Sequence, residues 1–186
     1  MEALEAIHKR CSLKTHLSGQ TIEPEKINII LEAARQAASA RNMQPWRFVV
    51  VQGKEAVEAL AQAFPGPNLV IKQAPVVIIA CARPSDDVAH DGKDYYLFDV
   101  GMAVGNMLLA ATDLGLVTHP MSGFNETEIK RILQIPEDVR VVVATPLAYP
   151  LEASYDEAAQ ERLNRRTRKE LQEAVYFDKW NELEPA

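Results

Sequence analysis

The sequence predicts an α+β fold in which helices flank a sheet, and three features carry that reading. Residues 75–81 (PVVIIAC) form a continuous apolar run of strand formers, the pattern of a strand buried on both faces. Residues 94–114 are long enough for a helix of several turns and are apolar on most sides, as a central buried helix would be. Predicted helices and strands interleave along the chain, but without the regular strand–helix–strand alternation that a parallel sheet requires.

The elements follow in order. Residues 2–10 read as a short helix with Ala3, Leu4 and Ile7 inward, and residues 11–20 as a polar loop. Pro24 suits the first turn of a second helix. Its apolar face is Ile27, Ile30, Leu31, Ala34 and Ala38, and an alanine-rich end at 37–40 closes it. A loop at 41–45 leads into the β-branched run 47–51 (RFVVV), a strand. Residues 54–63 are helical, and the Pro/Gly-containing stretch 64–68 breaks structure. In the long helix, Phe98, Met102, Gly105, Leu108, Leu109 and Thr112 lie among further apolar residues. Gly101 and Gly105 would admit another backbone, as in a helix–helix or dimer contact. Asn125 with Glu128 three positions on marks a capped helix. A strand at 139–147 and a charged helix or helix pair at 157–174 follow. The tail 175–186 is aromatic, then acidic.

Bulk properties narrow the functional classes. At 186 residues the chain suits a single domain that needs no staples. A net charge of −6 argues against nucleic acid or an acidic membrane surface as a partner. Cys11 and Cys81 lack the spacing of a zinc site or a disulfide framework, so no metal is expected. The charged, helical N-terminus has no apolar signal core, and no apolar run is long enough to span a bilayer. These features point to a reduced, cytoplasmic setting.

Four segments carry candidate chemistry. Arg10-Cys11-Ser12-Leu13-Lys14 places two cations and a hydroxyl within five residues, a donor set that can hold a phosphate or form a solvated basic face. Ser39-Ala40-Arg41-Asn42-Met43-Gln44-Pro45-Trp46 offers amides that can read the edge of a heteroaromatic ring; a helix end entering a strand would look the same. In His119-Pro120-Met121-Ser122-Gly123-Phe124, Gly123 permits close backbone approach to a ligand, or simply makes a turn. Arg165-Arg166-Thr167-Arg168-Lys169 is a second possible anion site or a solvated helix face. His8, His16, His90 and His119 show no triad or metal spacing and read as structural or exposed, so no catalytic side chain is nominated.

Taken in order, these segments resemble the nitroreductase-like flavoproteins. The family's Arg-Arg/His-Ser-x-Arg/Lys signature corresponds to Arg10 to Lys14, with Cys11 departing at the second position. Its Pro-Ser-x-x-Asn-x-Gln-Pro-Trp loop corresponds to Ala38 through Trp46, with Ala38 in place of proline. The Ala-Pro-Val-Val-Ile strand is 74–78. The long-helix signature is carried by Asp99, Gly101, Asn106, 108–111 and 114–116. Ala148-Tyr149-Pro150 stands where the family has Gly-Tyr-Pro. Arg168-Lys169-Glu170-Leu171-Gln172-Glu173, followed by Trp180, closes the match.

The resemblance implies a central mixed or antiparallel sheet and a domain-swapped homodimer with FMN at the subunit interface. Residues 150–186 would be an arm wrapping the partner. It assigns Arg10, Ser12 and Arg168 to the FMN phosphate, with Arg166 assisting and Cys11 in the same segment. Lys14 would lie near the N1–C2=O edge of the ring, where a cation favours the reduced flavin. Ser39 and Asn42 would face the ring from the partner chain, and Ser122 and Gly123 would lie near N5. Asn68 is a further candidate for the ring's polar edge. The implied activity passes hydride from NADH or NADPH through FMN to an electron-poor small molecule, a nitroaromatic or quinone, with alternating occupancy. The chain has no GxGxxG fingerprint for a separate dinucleotide site. Alternatives are a branch with another reaction, such as reductive dehalogenation or oxygen-dependent flavin cleavage, with residues 84–93 as the lid candidate. A flavin-binding redox sensor or carrier without turnover is a third.

Overall fold

The structure is a computed structural model that describes residues 2–180. The chain forms two compact units, Met1–Ala153 and Ser154–Ala186. The acidic end of the tail, 181–186, lies outside the described residues.

The first unit is organised by β3 (Val76–Ala82), in which every residue is buried. It lies between β2 (Trp46–Gln52) and β7 (Arg140–Pro150), antiparallel to both. Val76, Ile78, Ala80 and Ala82 pack under α2 (Pro24–Arg35) and α4 (Tyr96–Asp113). The alternate residues Val77, Ile79 and Cys81 pack with α3 (Lys54–Ala61) and α5 (Glu126–Leu133). Because side chains alternate across a strand, an all-apolar strand needs helices on both faces, and this sheet has them. A register shift between Ala80 and Cys81 places an extra β7 residue opposite β3, a β-bulge.

The α+β, helix-flanked architecture is as expected, and its sheet is antiparallel throughout among the described residues. The short strands β1 (Leu17–Ser18) and β6 (Val117–Thr118) both pair with β7. Glycine at 115, at φ +78, ends α4 and turns the chain into β6. Asn125 caps α5, its side chain accepting the Glu128 N–H at 3.1 Å.

Several expectations need correction. In α1 (Ala3–Lys9) the buried residue is Ala6; Leu4 is 71% exposed and Ile7 is exposed too, because none of the described residues covers the stripe they share. α2 stops at Arg35 rather than running into the alanines, since Ala40 N–H leaves the helical path to donate to Asp99. α4 is not buried all round. Val100, Ala103, Met107 and Ala111 face the core, whereas Phe98 is 62% exposed and leads the stripe through Met102, Gly105 and Leu109. Where a Cβ would stand at Gly101 and Gly105 there is open space, so among the described residues none makes the close approach those glycines permit.

In the second unit α6 spans Glu157–Asn164, capped by Asp156, and ends there instead of continuing to 174. Arg165, Arg166, Arg168 and Lys169 therefore do not form a helix face; helical spacing would set these like charges against each other. A short 3-10 turn, Leu171–Glu173, follows, and the Tyr176 and Trp180 rings stack at 4.3 Å.

The core makes a direct prediction. Ile78 is fully buried on β3, so Ile78→Ala should destabilise the protein by about 2–5 kcal/mol in urea unfolding. A loss under about 0.5 kcal/mol, the range of surface changes, would contradict the two-faced burial.

Candidate active site

The segment Arg10 to Lys14 leaves α1 and runs onto the sheet. Ser12 forms a parallel β-bridge with Thr118, and Leu13 N–H donates to Thr118 O at 3.1 Å. Leu13 is buried, which turns Ser12 and Lys14, the alternate residues, outward. Arg10 Nη1 donates to Ser12 Oγ at 3.4 Å. Two cations and a hydroxyl are thus held along one backbone edge, a donor set suited to a phosphate or another anion.

The same pairing brings in residues 119–123. His119 is held below the usual histidine range, first by burial and then by the positive charge of Lys14, so it is neutral at pH 7. Met121 is buried and pairs both ways with Ala144, at 2.8 and 3.0 Å. Phe124 packs on Phe64, ring centroids 5.9 Å apart. Between these anchors Ser122 and Gly123 are exposed. Asn68 Nδ2 donates to Gly123 O at 2.9 Å.

The Ser39–Gln44 loop is built by different means. Arg41, Asn42 and Gln44 all adopt left-handed backbone, at φ +50, +59 and +52. Asparagine tolerates this, but each of the other two carries about 1–3 kcal/mol of strain. The loop persists because it is tied down. Gln44 N–H donates to Ser39 Oγ at 2.9 Å, and Ala40 N–H donates to Asp99 Oδ2 at 2.7 Å. Ser39 thus acts on its own loop, while Asn42 is exposed at the tip.

Asp99 is 1% exposed, on the core face of α4, with Oδ1 lacking a partner. Asp87 Oδ2 is likewise buried and unpartnered. Burial, and then the charge of Asp99, push the Asp87 carboxyl above the ordinary range. A proton on Asp87 shared with Asp99 would satisfy both atoms. Asp87 precedes a hairpin of β4 (Ala89–His90) and β5 (Lys93–Asp94), turned by Asp91 and Gly92, both at positive φ. This is the lid candidate at 84–93. Val88, His90 and Tyr95 enclose a cavity of about 190 Å³ with Ala40 and Arg41.

The structure therefore sets Arg10, Cys11, Ser12 and Lys14 on one segment that pairs with Thr118 and faces His119, leaves Ser122 and Gly123 exposed further along the same connection, and presents Ser39 and Asn42 on a separate loop. Cys11 is half-buried and free. A groove of about 510 Å³ along α2 and α4 runs from Arg10 past Ala38, Met102, Asn106 and Leu109. Arg166 and Arg168 belong to the second unit, where Arg168 Nη1 donates to Thr167 O at 2.7 Å and Arg166 Nε to Leu163 O at 3.2 Å. Asp99 and Asp87 were not among the expected site residues. A carboxylate within an apolar helical stripe was the available signal for Asp99, because a buried charge requires a partner.

Fold and cation-bearing edge together describe an α+β protein with a candidate anion site beside its sheet. The chain belongs to the nitroreductase family, whose profile matches residues 7–66 and 65–149. It is 30% identical over 183 residues to the "Putative NADH dehydrogenase/NAD(P)H nitroreductase" of Archaeoglobus fulgidus, covering 96% of this chain and 99% of that protein. It is 30% identical over 168 residues to the iodotyrosine deiodinase of Haliscomenobacter hydrossis, covering 74% of each. Among solved structures, a nitroreductase family protein from Clostridium difficile 630 superposes with TM-score 0.83 at 28% identity, covering 97% and 100%. A structure described as an oxidoreductase containing FMN gives 0.81 at 25%, covering 95% and 91%.

The carboxylate pair yields a pH prediction. With its folded pKa raised, protonated Asp87 contributes stability that is complete below the unfolded carboxyl value. That contribution is lost as pH rises through the folded value. Asp87→Asn keeps an acceptor for Val88 N–H and supplies a donor to Asp99. It should raise Tm at about pH 7.5, by roughly 2–4 °C per kcal/mol recovered, and the gain should shrink toward about pH 4. A variant less stable than the parent at the higher pH would contradict the shared proton.

Proposed function

We propose that this chain is an FMN-dependent NAD(P)H oxidoreductase that acts as a homodimer. The observation that supports the reading is the Ser12–Thr118 bridge, which sets the cation-bearing Arg10–Lys14 segment beside the start of the strand-edge stretch that leads to the exposed Ser122–Gly123 backbone. The donor chemistry fits the cofactor: Arg10 and Ser12 suit a phosphate, Lys14 a ring edge that gains negative charge, and Ser122–Gly123 backbone a flat ring lying close. Arg166 and Arg168 keep the phosphate role that the family resemblance gives them, and Ser39 and Asn42 the role of ring contacts. When bound, FMN supplies two-electron chemistry, taking hydride from NADH or NADPH and delivering it to an electron-poor acceptor such as a nitroaromatic or quinone. The chain's own residues bind and orient; neutral His119 places no second positive charge beside Lys14. The names of the Archaeoglobus relative and of the FMN-containing neighbour support both cofactors. The deiodinase relative supports a second reading, in which the same site serves reductive dehalogenation.

The homodimer rests on apolar surface that the described residues leave uncovered: Leu4 and Ile7 on α1, Leu97 and Phe98 on α4, and the open space at Gly101 and Gly105. We regard 1–186 as one functional domain with 150–186 as its arm, working in a reducing, cytoplasmic setting that suits the free Cys11 and Cys81. Among the described residues no helix is long and apolar enough to cross a membrane.

Two measurements test the proposal. Light scattering should give a dimeric mass, and Phe98→Asp should shift it toward monomer; a monomeric parent with FMN bound would contradict the dimer. Steady-state rates with NADH or NADPH and a quinone should give parallel double-reciprocal lines, as expected when both substrates use one site in turn. Intersecting lines would show a ternary complex and a separate nicotinamide site.

A further inference from the structure

We propose that the carboxyl pair Asp87 and Asp99 positions the Ser39–Asn42 loop for the flavin, so that the lid segment and this loop act as one unit; the inference rests on the functional reading above. Asp99 lies on the core face of α4, 1% exposed, and its Oδ2 accepts the Ala40 N–H at 2.7 Å. That bond falls between Ser39 and Asn42, just before the left-handed residues Arg41 and Asn42. Gln44 N–H to Ser39 Oγ and Asn42 N–H to Ser39 O, by contrast, are internal to the loop. They fix its shape, whereas Asp99 fixes its place against α4.

The second oxygen of Asp99 carries the link to the lid. Asp99 Oδ1 and Asp87 Oδ2 are both buried without a partner, and the two carboxyls act on each other. Asp87 Oδ1 accepts the Val88 N–H at 2.7 Å, and Val88 O accepts the Tyr95 N–H at 3.1 Å, so Asp87 is built into the base of the β4–β5 hairpin. Among the described residues no cation pairs with either carboxyl. Arg47 and Arg83 are bound to Asp86, at 3.3 and 3.6 Å. Arg140, whose charge reaches Tyr96 on α4, is held by Glu126 at 2.9 Å. Arg41, His90 and Tyr95 line the adjoining cavity of about 190 Å³. Burial, and then the charge of Asp99, raise the Asp87 carboxyl, so the pair is satisfied while Asp87 keeps its proton. Loss of that proton as pH rises sets two negative charges face to face. The base of the hairpin then opens, and water competes with Ala40 for Asp99.

The test is the FMN affinity of apoprotein, followed by flavin fluorescence from about pH 4.5 to about pH 9, a range that begins near the ordinary carboxyl value. Hydrogen exchange over residues 39–44 is a second readout. Affinities are compared as the ratio of variant to parent at each pH, which cancels the titration of the FMN phosphate itself. Asp87→Asn supplies a permanent donor to Asp99. It should match the parent at the acid end and bind FMN about tenfold more tightly at the alkaline end, as when the ionised parent holds its loop a tenth of the time. Asp99→Asn keeps an acceptor for Ala40 and a donor for Asp87, and should behave in the same way. Asp99→Ala lacks the grip; it should bind FMN about tenfold more weakly than Asp99→Asn at every pH, and exchange faster over 39–44. If Asp99→Ala does not fold, the two asparagine variants carry the test. A merely structural pair would shift Tm with pH and leave the affinity ratio flat. A flat ratio for Asp87→Asn, or exchange over 39–44 in folded Asp99→Ala no faster than in the parent, overturns the inference. A parent that binds FMN at no pH would instead overturn the functional reading, while the exchange comparison still reports on the pair.

Discussion

β3 has no exposed residue, and that burial organises everything around it. Its even residues are covered by α2 and α4 and its odd residues by α3 and α5, so all four helices are committed to the sheet. Burying a side chain the size of isoleucine is worth about 1.5–3 kcal/mol, and Ile78 and Ile79 supply one such contribution to each layer. With both faces filled, ligand-binding backbone must come from where the strands end and connections emerge. β7, which continues past β3, provides the place: β6 and residues 119–123 lie along it, and Ser12 joins through Thr118.

The two halves of the site are held by different physics. The Arg10–Lys14 segment rests on backbone pairing and a buried Leu13, which fixes its direction. The Ser39–Gln44 half is a strained loop pinned by a buried carboxylate. Three left-handed residues in four positions would relax if the Asp99–Ala40 hydrogen bond were lost. Ala40 answers one oxygen of buried Asp99, and a proton shared with the Asp87 carboxyl would answer the other, which would tie the lid segment and the loop to one electrostatic anchor.

Much of this was legible in the sequence. The buried strand, the capped helix at Asn125 and the long helix are periodic or capped signals that depend on local chemistry. The signature segment at Arg10–Lys14 pairs with Thr118, at the start of the stretch that carries the third candidate segment. What was not legible depended on tertiary context. Leu4, Ile7 and Phe98 look like core residues by composition, yet none of the described residues covers them. The early end of α2 follows from Asp99, 59 residues away from its partner Ala40. The Asp91-Gly92 hairpin was missed although that dipeptide is a strong two-residue turn signal, because the flanking strands, at two residues each, are too short to alternate visibly. The contact between the Asn68 amide and Gly123 likewise joins residues 55 positions apart.

The central claim is that the Arg10–Ser12 edge binds the phosphate of a flavin. Comparing FMN with riboflavin, which shares the ring but lacks the phosphate, tests it most directly by titrating apoprotein and following flavin fluorescence. A charge-assisted contact contributes about 1.5–3 kcal/mol, so FMN should bind at least about tenfold more tightly, and Arg10→Ala should erase much of the difference. Equal affinity for the two flavins, or a preference for FMN that Arg10→Ala leaves intact, would contradict the account.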